Sequence, residues 1–400
     1  MSEGRTCSMF SGNDCFSDET AEWIGRVEKI APVLVRYRDQ AEHERMTPAA
    51  VIDALRGQNI HRMWVADAFG GGQVSVRTGS AVLRTLARID ASVAWQMGVQ
   101  GAIGRLSDYL PEPVAQRLFH ESPGLVVGGI NPTGRAERVP GGYRLHGTWS
   151  FASGSAHATW LVCAAILAED DMACPSPAGP RTYMAFVPKS AALFVDDWFT
   201  MGLRGTGSTT YRLDGLVVPD DHTVDGSLLR RPPARRPSRA YDIAYYDFAP
   251  FTTASTALGI VQDALETFRC LAQEKIPARA TSPLAASHTV QAGLARAEVL
   301  ARASALLLTD AADQATAHGE HGGEDLSALI RLAAAAVGEN TATAVDTLYD
   351  LAGTSALYSA SRLDRCFRDI HAAVKHITLS WTNFEMVGQY FLGGALLTRR

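Results

Sequence analysis

The chain has 400 residues, 46% of them apolar and 20% charged, with a formal net charge of −5. That length asks for two or three packed subdomains, the composition is that of a globular chain, and the charge gives no basic footprint for nucleic acid. No apolar run reaches the roughly 18 residues a membrane span needs, and Met1 to Asp14 hold no apolar stretch of the secretory kind.

Six cysteines (Cys7, Cys15, Cys163, Cys174, Cys270 and Cys366) are scattered without metal-ligand spacing. The expectation is reduced thiols in a cytoplasmic protein with no metal site.

Residues 1–17 are polar and read as frayed. From Asp18 to about Arg38, Trp23, Ile24, Val27, Ile30, Val33 and Leu34 recur at helical spacing. A second helix begins at Thr47-Pro48, with Thr47 as N-cap and Pro48 at the first helical position. Phe69 to Gly72 is a loop, and a helix is expected over 74–88. Asp90-Ala-Ser92-Val-Ala-Trp95 opens another, and Pro111 to Phe119 forms a short one. Residues 1–120 thus read as a helical domain.

From Leu125 the period becomes that of strands, through Leu125–Ile130, Trp160–Ile166, Thr182–Val187, Leu193–Val195 and Tyr211–Pro219. The loop Glu169–Pro180 is rich in Pro, Asp and Ser. Residues 121–225 are expected to form a small sandwich or barrel. Its centre is Gly141 to Trp160, where alternating Tyr143, Leu145 and Gly147 lead to Trp149, a break at Ser153-Gly154, and a second strand. Such a Ser-Gly kink marks a close approach of backbone and a small hydroxyl to something flat.

Residues 226–239 read as a solvated Pro/Arg-rich linker, and 240–400 as a four-helix bundle with helices near 250–274, 282–317, 324–352 and 361–395. His318-Gly-Glu-His321 sits in one connection and reads as a flexible loop.

A helical domain, a short-stranded domain and a bundle, with Trp-x-x-x-Ser-Gly between, resemble the acyl-CoA dehydrogenase fold. Asp90 to Trp95 is similar to the helix lining that family's active site. Gly129-Ile-Asn-Pro-Thr-Gly-Arg-Ala136 resembles the strand and loop beneath the flavin pyrimidine. Gly202-Leu-Arg-Gly-Thr-Gly-Ser208 resembles a loop closing the middle domain, and Arg368-Asp369-Ile-His371 the helix near the catalytic position. After that pair the chain has Lys375-His376-Ile377 and no carboxylate. A histidine there, with the Ser-Gly kink, resembles the two-component flavin-dependent monooxygenase branch.

That resemblance implies an oxygenase component using reduced FAD or FMN and O2 through a C4a-hydroperoxyflavin. The expected substrate is small and aromatic or heteroaromatic, in secondary metabolism or aromatic catabolism. Alternatives on the same fold are an acyl-CoA dehydrogenase-type FAD oxidoreductase, an amino-sugar N-oxygenase and a non-catalytic binding subunit. The implied catalytic residues are His376 as acid/base and Ser153 at flavin N5. Asn131, Thr133, Trp149, Ser153, Gly154, Arg204 and Ser208 are the implied cofactor contacts. For Trp149 a core aromatic is the other reading, and for Arg204 and Ser208 a ligand-free glycine turn. Ser92, Trp95 and His157 are expected at the substrate pocket, Trp95 serving equally well as core. His371, five residues before His376 on one expected helix, faces elsewhere and pairs with Asp369 or a neighbouring chain.

The chain has no strand–GxGxxG–helix unit, and Gly205-Thr-Gly207 lacks the third glycine. A separate NAD(P)H-flavin reductase is therefore the expected partner. The family resemblance implies a homotetramer, or else a homodimer.

Overall fold

The computed structural model describes residues 17–168, 180–278 and 280–396. Residues 1–16 and 169–179, which carry the frayed start, most of the Glu169–Pro180 loop and Cys7, Cys15 and Cys174, lie outside the described residues.

Helix α1 (Asp18–Glu44) starts where the Ser17 hydroxyl accepts from Thr20 N, and buries Trp23, Val27, Ile30 and Leu34. It runs past the expected end near Arg38. Helix α2 (Ala49–Gly57) follows, but Thr47 does not cap it: its hydroxyl donates instead to Gly205 O, 2.9 Å away. Ser75 caps α3 (Val76–Ile89), and Asp90 caps α4 (Ala91–Gly104), its carboxylate accepting from Ser92 N and Val93 N. An anion at that end satisfies amides with no helical partner and meets the positive end of the dipole. A short α5 (Glu112–Ala115) widens into a further turn ending at Glu121.

The strands are β1 (Leu125–Val139), β2 (Gly142–Ala152), β3 (Ala158–Leu167), β4 (Thr182–Pro188), β5 (Leu193–Val195), β6 (Thr209–Pro219) and β7 (Thr223–Asp225). They hydrogen-bond as one mixed sheet in the order β5-β6-β2-β1-β3-β4-β7. β1 is antiparallel to β2 and parallel to β3, with a register shift between Gly129 and Gly134. Gly129 to Ala136, expected as strand then loop, is thus one bulged strand.

The segment 226–239 is held to the fold at several points rather than freely solvated. Tyr109 Oη donates to Arg231 O (2.7 Å), Gln73 Nε2 donates to Pro237 O (3.3 Å), and Arg235 lies over the Phe69 ring. Arg105, fully buried, donates to Ala240 O and Ile243 O and sits 4.0 Å above the Tyr241 ring.

Helices α6 (Tyr245–Glu274), α7 (His288–His318) and α8 (Gly323–Ala352) follow. α6 packs so closely on α3 that a Cβ on Gly259 would stand 2.4 Å from Ala87 Cβ. The expected last helix over 361–395 is broken. α9 (Arg362–Ala373) ends, a single turn spans Ile377–Leu379, and α10 (Thr382–Phe391) begins anew. His376 is the cause visible at the break: its backbone is extended (φ −69°, ψ 138°) and its side chain accepts from Thr378 N. His371 and His376 therefore do not share a helix. His371 pairs with Asp346 of α8 (Nε2 to Oδ1, 2.7 Å) and packs on Phe367, not with Asp369.

Candidate active site

Two tight turns face each other at the ends of β2 and β6. In the first, Phe151 adopts φ +66° and is 70% exposed, Ser153 N donates to Phe151 O, and Gly154 takes φ +82°. A bulky side chain at positive φ costs roughly 1–3 kcal/mol and persists only where its surroundings hold it. In the second, Leu203 (φ +51°) and Gly207 (φ +53°) bracket Arg204–Thr206. Gly154 N donates to Thr206 O (2.8 Å), joining the turns. Their hydroxyls join as well: Ser153 Oγ lies 2.7 Å from Ser208 Oγ, and Ser208 Oγ lies 2.6 Å from Thr206 Oγ1. All three residues are buried.

The second turn is fixed from the bundle side. Leu203 N donates to Asp369 Oδ1 (2.6 Å), and Gly202 meets Arg368 so closely that a Cβ there would lie 2.0 Å from its carbonyl oxygen. Only glycine fits. Burial pushes the Asp369 carboxyl up to about 7, while the Leu203 N–H works in the opposite direction. Arg204, expected at the cofactor, is committed to the protein. Its Nε donates to Glu42 O (3.1 Å) and its Nη1 to Thr200 O (3.0 Å), so it clamps the turn to α1.

Helix α4 supplies the floor. Ser92 is buried, and its Cβ would stand 3.1 Å from a Cβ on Gly205. Gln96, not among the expected site residues, donates through Nε2 to Thr47 Oγ1 (2.6 Å) and Ser92 O (3.1 Å). Its Oε1 has no partner among the described residues and lies 3.3 Å from where a Gly154 Cβ would be. Two glutamines, Gln96 and Gln100, on a helix otherwise made almost wholly of small and apolar residues are the signal that could have found it. His157 is not an open mouth residue: its Nε2 donates to Thr47 O (2.7 Å), and burial lowers its pKa.

Trp149, expected against a flavin ring or in the core, is core. It is 1% exposed, its Nε1 donates to Ala164 O (2.7 Å), and it stacks on Tyr211 at 5.5 Å. Gly129, Gly134 and Gly147 make its room: an added Cβ would come within 2.2–2.9 Å of the tryptophan at each, or, for Gly147, of Gly134 Cα as well. Asn131 and Thr133 are exposed on β1, and Thr133 Oγ1 donates to Thr148 O (2.7 Å).

Trp95 and His376 meet from α4 and the α9–α10 break. Their half-buried rings stand edge to face, centroids 5.6 Å apart. His376 Nδ1 is 2.7 Å from Thr378 Oγ1, which lies 2.7 Å from Thr253 Oγ1 on α6, so the imidazole is oriented from behind.

A cleft of about 370 Å³ opens beside the turns, lined by Met46, Ser155, Phe194, Trp198, Gly207 and Thr209, with Arg45 and Lys189 and, equally, Glu44 and Asp196. Arg45 is paired with Asp196 and Lys189 Nζ donates to Ala156 O, so the charges on the lining are balanced, and it is the aromatic side chains and the glycine turn that suit a flat heteroaromatic group. Ser153, Gly154 and Ser208 are the residues brought together that could hold its polar edge.

Residues 251–381 match the acyl-CoA dehydrogenase C-terminal domain family. The chain is 30% identical to the "FADH(2)-dependent resorcinol hydroxylase, oxygenase component" of Rhizobium sp. (strain MTP-10005), over 92% of this chain and 94% of that one. It is 27% identical to an indole-3-acetate monooxygenase of Pseudomonas putida, covering 95% and 97%. Among solved structures, XiaF from Streptomyces sp., in complex with FADH2 and glycerol, superposes with a TM-score of 0.87 at 26% identity, covering 95% and 97%.

Proposed function

Because the chain belongs to the family of flavin-dependent hydroxylase oxygenase components on the acyl-CoA dehydrogenase fold, we propose that it hydroxylates a small phenol or nitrogen heteroaromatic at the site between β2, β6, α4 and the α9–α10 break. It is a monooxygenase that takes reduced FAD or FMN and O2. As the oxygenase component of a two-component system, it depends on a separate reductase. Bound reduced flavin supplies the electrons that activate O2 for insertion of one oxygen atom.

Ser153 holds the proton at flavin N5, and Gly154 lets backbone approach the ring. Ser92 and Trp95 shape the substrate wall. His376 removes the proton from the substrate hydroxyl or ring N–H as oxygen is inserted, the role an imidazole can play as general base.

The observation that carries this reading is His376, lifted out of helical register and set against Trp95. An acyl-thioester dehydrogenase of this fold needs a carboxylate base, and residues 370–381 contain no Asp or Glu.

The chain works as a homotetramer, a reading supported by the exposed Val299, Leu306 and Leu307 on α7 and Trp381 and Phe391 at α10. Free Cys163, Cys270 and Cys366 support a cytoplasmic setting. Among the described residues no helix is long and apolar enough to cross a membrane. Aromatic catabolism or secondary metabolism is the setting that aromatic hydroxylation fits.

The test is reconstitution with O2, NAD(P)H, FAD or FMN, and phenolic and indolic probes, with and without a separate flavin reductase. Hydroxylated product only in the complete mixture is expected. NAD(P)H oxidation by this chain alone, or flavin bleaching by an acyl-CoA, would overturn the reading.

A further inference from the structure

The hydroxyls of Ser153, Ser208 and Thr206 form a line in which the direction of every proton can be assigned. Thr206 Oγ1 donates to Leu203 O at 2.8 Å, and a carbonyl oxygen can only accept. Thr206 has no second proton, so across the 2.6 Å contact Ser208 must donate to Thr206. Ser208 is then spent as well, and across the 2.7 Å contact Ser153 must donate to Ser208. Ser153 is left with lone pairs and no proton to offer.

The line resists reversal. Its far end is tied, since Leu203 has left-handed backbone and gives its own N–H to Asp369 Oδ1 at 2.6 Å. Ser153, Thr206 and Ser208 are 2%, 1% and 4% exposed, so bulk water is not at hand to re-pair them.

We infer that Thr206 and Ser208 are positioning residues that make Ser153 an obligate hydrogen-bond acceptor and so make the site select reduced over oxidised flavin. This rests on the reading that Ser153 meets flavin N5. Reduced flavin carries a proton on N5 and satisfies an acceptor. Oxidised flavin presents only a lone pair at N5, which would face the lone pairs of Ser153 without a proton between them. The consequence suits a protein whose reduced flavin arrives by diffusion: it binds that form and lets the oxidised form go.

The experiment is an equilibrium titration of the full chain with reduced FAD and FMN under nitrogen, and with the oxidised forms, giving the ratio of oxidised to reduced Kd. Wild type is expected to prefer reduced flavin. Thr206→Val removes the last acceptor, so Ser208 turns its proton to Ser153 and the Ser153 proton becomes available to N5. Oxidised affinity should rise, reduced affinity should fall, and the ratio should drop by about tenfold, the scale of one hydrogen bond on each ligand.

Ser208→Ala should lower the ratio similarly, and Thr206→Ser should restore the wild-type value. Loss of fold weakens both ligands together and leaves the ratio where it was. An unchanged ratio in both Thr206→Val and Ser208→Ala, with Ser153→Ala altering flavin affinity, overturns the proton line alone. No effect of Ser153→Ala on either affinity overturns the placement of Ser153, and the inference with it.

Discussion

On the sheet side of the site, Ser153, Thr206 and Ser208 are nearly solvent-free, hydrogen-bonded to one another, and held by two turns that contain strained or glycine backbone. On the bundle side, Trp95 and His376 are half-buried, meet through ring edges, and adjoin exposed Ile377 and Trp381. In the proposed site, one wall would be this fixed polar register and the other the aromatic pair where α4 meets the α9–α10 break. A cofactor of constant shape needs the first kind of wall, because misdirected hydrogen bonds are expensive where water cannot repair them. A substrate is served by the second, where a side chain could be exchanged without disturbing the register.

The largest expected effect separates the walls most sharply. His376→Ala should lower hydroxylated product per unit time by about 10²–10⁴-fold, the range for a general acid/base, while leaving reduced-flavin affinity unchanged. Altered flavin affinity in that variant would show that the walls are not independent.

Next comes Trp149→Ala, which empties the three-glycine cradle beneath the sheet-side turn. It should cost about 3–5 kcal/mol in denaturant unfolding. A loss below about 1 kcal/mol would mean that the turn does not depend on the core under it.

Ser153→Ala should act more mildly, raising the share of reduced flavin that ends as hydrogen peroxide by several-fold, on the order of one lost hydrogen bond. Unchanged coupling would move the N5 contact elsewhere.

A separate, pH-dependent effect concerns Asp369, which ties the two sides through Leu203. Its carboxyl titrates near 3.9 when unfolded but at about 7 when folded, because it is buried beside Glu42 and Asp90, with Arg362 opposing. A raised folded value favours folding fully below the unfolded pKa, and that stability is lost as pH rises toward about 7. Asp369→Asn keeps an acceptor for Leu203 N–H and cannot ionise. Its melting temperature should therefore gain on wild type between pH 5 and pH 7; parallel melting curves across that window would contradict the assignment.

The same two sides differ in how much of them the sequence displays. Most of the strands, the start of α4 at Asp90 and the Ser153-Gly154 kink are local events, written in alternation, spacing and residue type, and they emerge where the pattern puts them; the second half of β1 and the short β7 do not. The break at His376 is not legible because Ala372 to Ser380 contains no proline or glycine. The helix yields there to Nδ1 of His376 accepting from Thr378 N and to a Thr378–Thr253 contact 125 positions apart. Gln96 and Thr206 were silent for a similar reason: their partners, Thr47 and Ser208 with Leu203, acquire meaning only after the turns close. Trp149 reads equally well as cofactor contact or core until Gly129, Gly134 and Gly147 are seen to surround it.

The measurement that bears most directly on the account is isotopic. Chemically reduced FAD or FMN is mixed with the full chain and a phenolic or indolic probe under nitrogen, 18O2 is admitted, and the product is weighed by mass spectrometry. The account predicts one 18O atom per hydroxylated product, with the yield collapsing in His376→Ala. Product carrying oxygen from water, or peroxide alone with every probe while flavin binds normally, would contradict it.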